Sequence, residues 1–307
     1  MVVFDSLLRF APLYQTRVWG GRRLETLLHR TLPDAQPYGE SWELVDREQE
    51  QSVIAGGAHV GTSLHELWTQ HRAAVFGECY AAHPAPRFPL LIKVLDCVDD
   101  LSLQVHPPAA LAPSLKGEPK TEMWYVAHAD VGASLYAGVN QGVDRAAFES
   151  ALNNGTVADC VPVLPAETGD SLFVPSGRLH ALGKGLLIYE IQQNSDTTYR
   201  VFDWNRVGLD GKPRELHVEQ SLKCIDFSDV DPVLDRGQSL LAECEHFRVS
   251  RVQTGHAVPE GRFRLIMPIT EVQWAGETLA PGGLALLPVS AVKAEPEGEW
   301  LEIEMPA

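Results

Sequence analysis

The chain is short of positive charge. Its 25 lysines and arginines stand against 41 aspartates and glutamates, for a formal net charge of −16 and a sequence pI of about 5.1. A general basic surface for nucleic acid is thereby excluded, and so is adhesion to an anionic membrane. An anionic small molecule would need a local lysine and arginine cluster working against the overall field. Cysteine is scarce too. Cys79, Cys97, Cys160, Cys224 and Cys244 are odd in number and contain no C-x-x-C pair, which argues a reduced intracellular chain over a disulfide framework. No stretch reaches the ~18 apolar residues of a membrane span, and the first residues lack a basic region followed by an apolar run. The expectation is a cytoplasmic protein with neither nucleic acid nor membrane as partner.

What is present is ordinary in bulk: 45% hydrophobic and 21% charged residues over 307 positions, enough for one large domain or two unequal ones. The 25 glycines and 21 prolines exceed the usual share somewhat and favour many turns over long helices. Short strand-like runs dominate: 89–96, 101–106, 121–127, 171–174, 186–192 and 247–253. Two segments carry helical spacing, 63–76 and 143–153, the first opening on Ser63 with Glu66 three residues later. A polar, turn-prone stretch at 226–238 is the best boundary. The pattern predicts a mostly β protein of two unequal lobes, 1–230 and 231–307, with a few helices.

Alternation over Leu101 to His106 puts Leu101, Leu103 and Val105 on one face and Ser102, Gln104 and His106 on the other. Lys120 and Glu122 share a face of the next strand in the same way. The most specific segment is Gly169 to His180, with the spacing G-x5-P-x-G-x2-H. Here a turn, a strand and a Pro175/Gly177 turn present His180 at the start of a further strand. Imidazole, carboxylate and amide oxygen form a donor set that suits zinc, with a position left for water or a substrate oxygen.

These pieces resemble the two cupin motifs. More narrowly, the chain resembles the short bacterial form of type I mannose-6-phosphate isomerase. The matching segments are Arg17-Val-Trp-Gly-Gly21, Gly39-Glu-Ser-Trp-Glu43, Leu91 to Asp96, Gln104-Val-His-Pro107, Lys120 to Tyr125, Val174-Pro-Ser-Gly177 with His180, and Glu190 to Arg200. They stand in family order over roughly residues 10–220. The resemblance implies cupin (jelly-roll) barrels, a catalytic one over 1–230 and a smaller degenerate one over 231–307. It implies one zinc ion per chain and interconversion of mannose 6-phosphate and fructose 6-phosphate through an enediol.

Carried over by position, the metal ligands are Gln104, His106, Glu122 and His180. Arg200, Glu190, Asp196 and Lys120 are the expected catalytic residues: Arg200 for the developing oxyanion, Glu190 for the proton between C1 and C2, Asp196 for ring opening. Ser102, Lys120 and Arg200 are the expected substrate contacts. Lys93, inside a strongly apolar run, either reaches the pocket or snorkels. Trp19, Trp42 and Trp124 read as core packing, and His65, His71, His83, His128, His217 and His246 as ordinary histidines. Gly282 to Pro288 repeats the glycine–proline turn without a following histidine, the mark of a second cupin that has lost its metal.

The rival readings are an iron cupin oxygenase, whose sites favour H-x-H where Gln104 stands here, and a non-catalytic sugar-binding cupin, which would not need Lys120 and Arg200. The chain lacks the helical insertion of longer relatives, and Pro107 to Pro113 lacks the acidic residue that short relatives often place after H-P. A monomer or a homodimer is compatible with all of this.

Overall fold

A computed structural model describes residues 3–256, 261–291 and 296–306. The turn-rich composition resolves into short antiparallel strands. In chain order the first are β1 (Leu8–Arg9), β2 (Leu13–Gly21), β3 (Tyr38–Leu44), β4 (Leu90–Cys97), β5 (Leu103–Val105), β6 (Glu122–Ala129) and β7 (Ser134–Ala137). There follow β8 (Val163–Pro165), β9 (Ser171–Val174), β10 (His180–Leu182), β11 (Leu186–Gln193) and β12 (Tyr199–Phe202). The last part of the chain adds β13 (Leu240–Glu243), β14 (Arg248–Gln253), β15 (Arg264–Pro268), β16 (Val272–Trp274), β17 (Glu277–Leu279), β18 (Ala285–Leu287) and β19 (Glu299–Glu304).

Three sheets stack. The central one has the order β2-β3-β4-β11-β6-β9, and a five-stranded sheet, β12-β5-β10-β7-β8, faces it. Leu95, Trp124, Val126 and Ile188 of the first pack with Leu135, Ala137 and Leu182 of the second, which closes one end of the space between them. The outer face of the five-stranded sheet is covered by the helices Arg145–Asn154 and Val218–Cys224 and the short turn Val157–Cys160, through Phe148, Cys224 and Val157. The outer face of the central sheet packs Ile92, Val94, Tyr125 and Tyr189 against the third sheet, β1-β18-β15-β19-β14-β13. The central strands are therefore buried on both sides. That is why β4 reads as one apolar run, Leu-Leu-Ile-Lys-Val-Leu-Asp-Cys, with all eight residues buried.

The protein is mostly β, as expected, and two facing antiparallel sheets agree with a cupin barrel. The third sheet is built from residues beyond 239 together with β1, so the N-terminal strand crosses the 230/231 division. The helix expected over 63–76 is broken at His71 into Leu64–Gln70 and Arg72–Phe76. The Arg72 guanidinium takes the Trp68 carbonyl at 2.7 Å, a local competitor for the backbone ladder. Strand β5 is shorter than the expected 101–106, because Pro107 and Pro108 have no N–H to continue pairing. Gly20 lets β2 and β3 approach: a Cβ there would stand 2.3 Å from the Gly39 backbone nitrogen. Among the described residues no helix is long and apolar enough to cross a membrane.

Candidate active site

Directly paired residues of antiparallel strands put their side chains on the same face, so register decides what meets between the two sheets. On the five-stranded sheet Arg200 pairs with Gln104, and Gln104 with His180, a row across β12, β5 and β10. On the central sheet Trp42 pairs with Lys93, Lys93 with Glu190, and Glu190 with Trp124, a row across β3, β4, β11 and β6. Glu122 lies two residues from Trp124, on the same face.

His106 and His180 are held alike. His106 Nδ1 lies 2.9 Å from the Thr197 carbonyl and His180 Nδ1 lies 2.8 Å from the Arg178 carbonyl. A carbonyl only accepts, so each Nδ1 carries the proton and each Nε2 turns its lone pair inward. Both meet one carboxylate. Glu122 Oε2 is 3.5 Å from His106 Nε2, and Oε1 is 3.5 Å from His180 Nε2. The ligand atoms of the three buried residues lie within 4.8 Å of one another, the one such cluster among the described residues. Gln104 adds its amide 3.3 Å from His180 Nε2, with the Ser102 hydroxyl 3.3 Å behind it.

The electrostatics favour a cation. Burial, then the neighbouring His106, pushes the His180 imidazole down to about 3. Burial and Lys120 lower His106 as well, so both rings are neutral. Burial acts to raise Glu122, but the Lys120 ammonium outweighs it and holds the carboxyl well below the ordinary carboxylate range. His106 Nε2 and both Glu122 oxygens are buried with no hydrogen bond of sound geometry, although Lys120 Nζ stands 2.7 Å from Oε2. Orphaned buried acceptors are costly, and two neutral imidazoles with a carboxylate are what a zinc ion takes. The residues fit the metal.

Beyond this cluster runs a buried series of alternating charge. Lys120 Nζ lies 3.8 Å from Glu190 Oε1, and Lys93 Nζ lies 3.3 Å from Glu190 Oε2 and 3.9 Å from Glu40 Oε2. Burial raises Glu190, opposed by Lys120 and Lys93; burial lowers Lys120, but Glu122 and Glu190 outweigh it and raise it. The Trp124 indole donates to Glu190 Oε1 at 3.2 Å, and the Trp42 indole to Glu40 Oε2 at 2.7 Å. Both tryptophans are buried, as expected, and each also holds a site carboxylate. Arg200 lies at the end of its row with a buried, unpartnered Nε and no carboxylate at ion-pair distance among the described residues. Burial and then Arg214 lower its guanidinium.

The expected residues thus converge, with one at the margin. Asp196 is exposed at the rim, and its field still acts on Lys120 and Arg200. Lys93 does reach the site. Glu40 and Arg17 received no role from the sequence, though both lie in quoted segments; a carboxylate inside the apolar Gly39-Glu-Ser-Trp frame was the available signal. His217 receives the Arg200 N–H on its Nδ1 at 3.4 Å and so braces that strand.

A family model described as the type I phosphomannose isomerase catalytic domain matches residues 7–116. A mannose-6-phosphate isomerase of Bacillus subtilis is 36% identical over 252 residues, covering 79% of this chain and 78% of the relative. The crystal structure of the mannose 6-phosphate isomerase from Bacillus subtilis superposes with a TM-score of 0.84 at 28% identity, over 97% of this chain and 99% of that one. A mannose 6-phosphate isomerase structure bound with zinc and yttrium shares the fold, with a TM-score of 0.73 at 16% identity over 99% of this chain and all (100%) of that one.

Proposed function

Because the chain belongs to the type I phosphomannose isomerase family, and is by that membership an isomerase, we propose that it interconverts mannose 6-phosphate and fructose 6-phosphate at this site. His106, Glu122 and His180 would hold one zinc ion, with Gln104 as a softer fourth ligand. A zinc ion held there would supply Lewis acidity toward the sugar oxygens next to the reacting carbons. The rest belongs to the chain.

Glu190 takes the proton from C2 of the open-chain aldose and returns it to C1, through an enediol. Its position suits that work. It is buried between two ammonium groups, Lys93 at 3.3 Å and Lys120 at 3.8 Å, which bias its charge. Arg200, always charged and without a carboxylate partner among the described residues, can meet the negative charge that develops on the sugar oxygen. Lys120 binds substrate oxygens beside Glu122, Asp196 at the rim serves ring opening, and Ser102 lies on the side toward the phosphate. Arg200, with no carboxylate at ion-pair distance among the described residues, and Lys120 beside Glu122 supply the local positive charge that an anionic substrate needs in a chain of net charge −16.

One observation carries the metal reading: among the described residues His106 Nε2 and Glu122 Oε1 are buried, lie in one cluster and have no hydrogen-bond partner, while Glu122 Oε2 meets the Lys120 ammonium at 2.7 Å. Membership in an isomerase family displaces the oxygenase and sugar-binding alternatives. The test is to purify the protein, measure bound metal, and assay mannose 6-phosphate conversion before and after chelation. Stoichiometric zinc, with turnover lost on chelation and restored by zinc, supports the reading. Bound zinc without turnover sinks the substrate assignment. We place the protein in the cytoplasm, acting on a soluble sugar phosphate.

A further inference from the structure

Glu40 accepts three hydrogen bonds, which fill most of a carboxylate's acceptor directions. Arg17 Nε donates to Oε1 at 2.8 Å, and Arg17 Nη2 donates to Oε2 at 3.1 Å, a two-pronged fork. Oε2 also receives the Trp42 indole at 2.7 Å and faces Lys93 Nζ at 3.9 Å. A carboxylate so engaged is a poor acid or base. It is a fixed anion. Its fixity is built into the backbone: Arg17 lies in the irregular stretch of β2 where register to β3 shifts between Thr16 and Gly21. Such a bulge re-aims a side chain. Gly39 makes room for it, since a Cβ at that position would stand 2.6 Å from Arg17 Cβ.

The other end of the series is Lys93, whose side chain is 6% exposed on a strand buried on both faces. An ammonium taken out of water needs compensating charge. Two carboxylates provide it from opposite sides, Glu40 at 3.9 Å and Glu190 at 3.3 Å, while the Trp42 ring lies 5.3 Å below. With Glu40 pinned, Lys93 stays shared. Without that counter-pull it would close on Glu190, the residue proposed above to move the substrate proton.

We propose that Arg17 and Glu40 are positioning residues for the isomerisation: the Arg17 fork pins Glu40, and pinned Glu40 holds Lys93 at a fixed stand-off from Glu190. Neither residue touches the reacting carbons. The inference rests on the isomerase reading for its kinetic consequence, and on geometry alone for its structural one.

The experiment compares Arg17→Gln, Glu40→Gln and the double variant as zinc-loaded proteins, by kinetics and by crystal structure. In Glu40→Gln, Lys93 Nζ shortens its 3.3 Å contact with Glu190 to a tight ion pair of about 2.8 Å. In Arg17→Gln, the released Glu40 closes on Lys93 and draws it away from Glu190. Both variants keep wild-type zinc content and KM and lose kcat by about tenfold or more, and the double variant is no worse than the poorer single one, because both act through Lys93. Should Arg17→Gln not fold, Arg17→Lys carries the same test, since an ammonium cannot make the fork. An unmoved Lys93 in both structures overturns the proposal, as does a rise in KM with kcat kept, or losses that multiply in the double variant. Absence of wild-type turnover would defeat the isomerase reading alone, because the crystallographic arm still decides where Lys93 stands.

Discussion

Gln104 and His180 stand directly opposite each other on β5 and β10, the glutamine amide 3.3 Å from His180 Nε2. The His180 Nδ1 proton is engaged by the Arg178 carbonyl, so in this pairing the amide N–H₂ donates and the imidazole accepts. A metal on His180 Nε2 would require the amide to turn its oxygen inward. Gln104 is therefore the adjustable member of the set, and His106, Glu122 and His180 are its fixed core.

That ranking predicts unequal losses of metal. His180→Ala should abolish zinc binding, whereas Gln104→Leu should weaken it by roughly 10- to 100-fold. Competition against a chromophoric chelator measures both. Full affinity in Gln104→Leu would remove the amide from the ligand set.

Arg200→Ala should keep the zinc and lose turnover by roughly 10²- to 10³-fold. Among the described residues its side chain has no ion-pair partner to leave stranded, so the melting temperature should move little. Metal content, kcat and thermal unfolding on the same preparation check the three parts. Full activity would show that the developing charge is met elsewhere.

Stability should fall in acid through Glu40. Burial raises its carboxyl, but Lys93, then Arg17 and the Trp42 bond, outweigh burial and leave it at about 2. A folded pKa below the unfolded value of roughly 4.3 stabilises the protein above that value, and the gain is lost as pH falls toward 2. The full effect is about 3 kcal/mol by linkage. Urea unfolding of wild type and Glu40→Gln between neutral pH and pH 3 tests it. The difference between them should shrink as pH falls, and a constant difference would contradict the depressed carboxyl.

Arg30 ties the lobes together at a distance from the metal cluster. Its Nη1 bonds Ser41 Oγ at 2.7 Å and Glu43 Oε1 at 2.5 Å, and its Nη2 bonds the Gly282 carbonyl at 2.6 Å. Arg30→Ala leaves Glu43, whose side chain is 4% exposed, as an uncompensated buried charge. Such losses cost about 3–5 kcal/mol. Denaturant unfolding should show it, with zinc content unchanged in the folded fraction.

The candidate metal residues were legible because short-range rules present them. Alternation put Gln104 and His106 on one face, and the Pro175 and Gly177 turn delivers His180 to the first residue of β10. Both are matters of neighbours in sequence. Lys93 could not be resolved in the same way. An apolar run with one lysine fits snorkelling or burial equally, and only its pairing with Glu190 and Trp42 settles the matter. The break at His71 was invisible for a similar reason, since the Arg72 side chain competes for a carbonyl in a way that spacing does not encode.

Composition and pattern alone determined a mostly β chain, an acidic net charge, and the donor types of one candidate metal centre. Tertiary structure alone decided that β1 joins the far sheet, that Arg17 pairs with Glu40, and that Lys93 stands between two carboxylates. The division has a physical cause. Periodicity fixes which way a side chain faces within its own strand. Which charge it meets depends on register between strands far apart in sequence, and in a dry interior that partner decides whether the charge can be there at all.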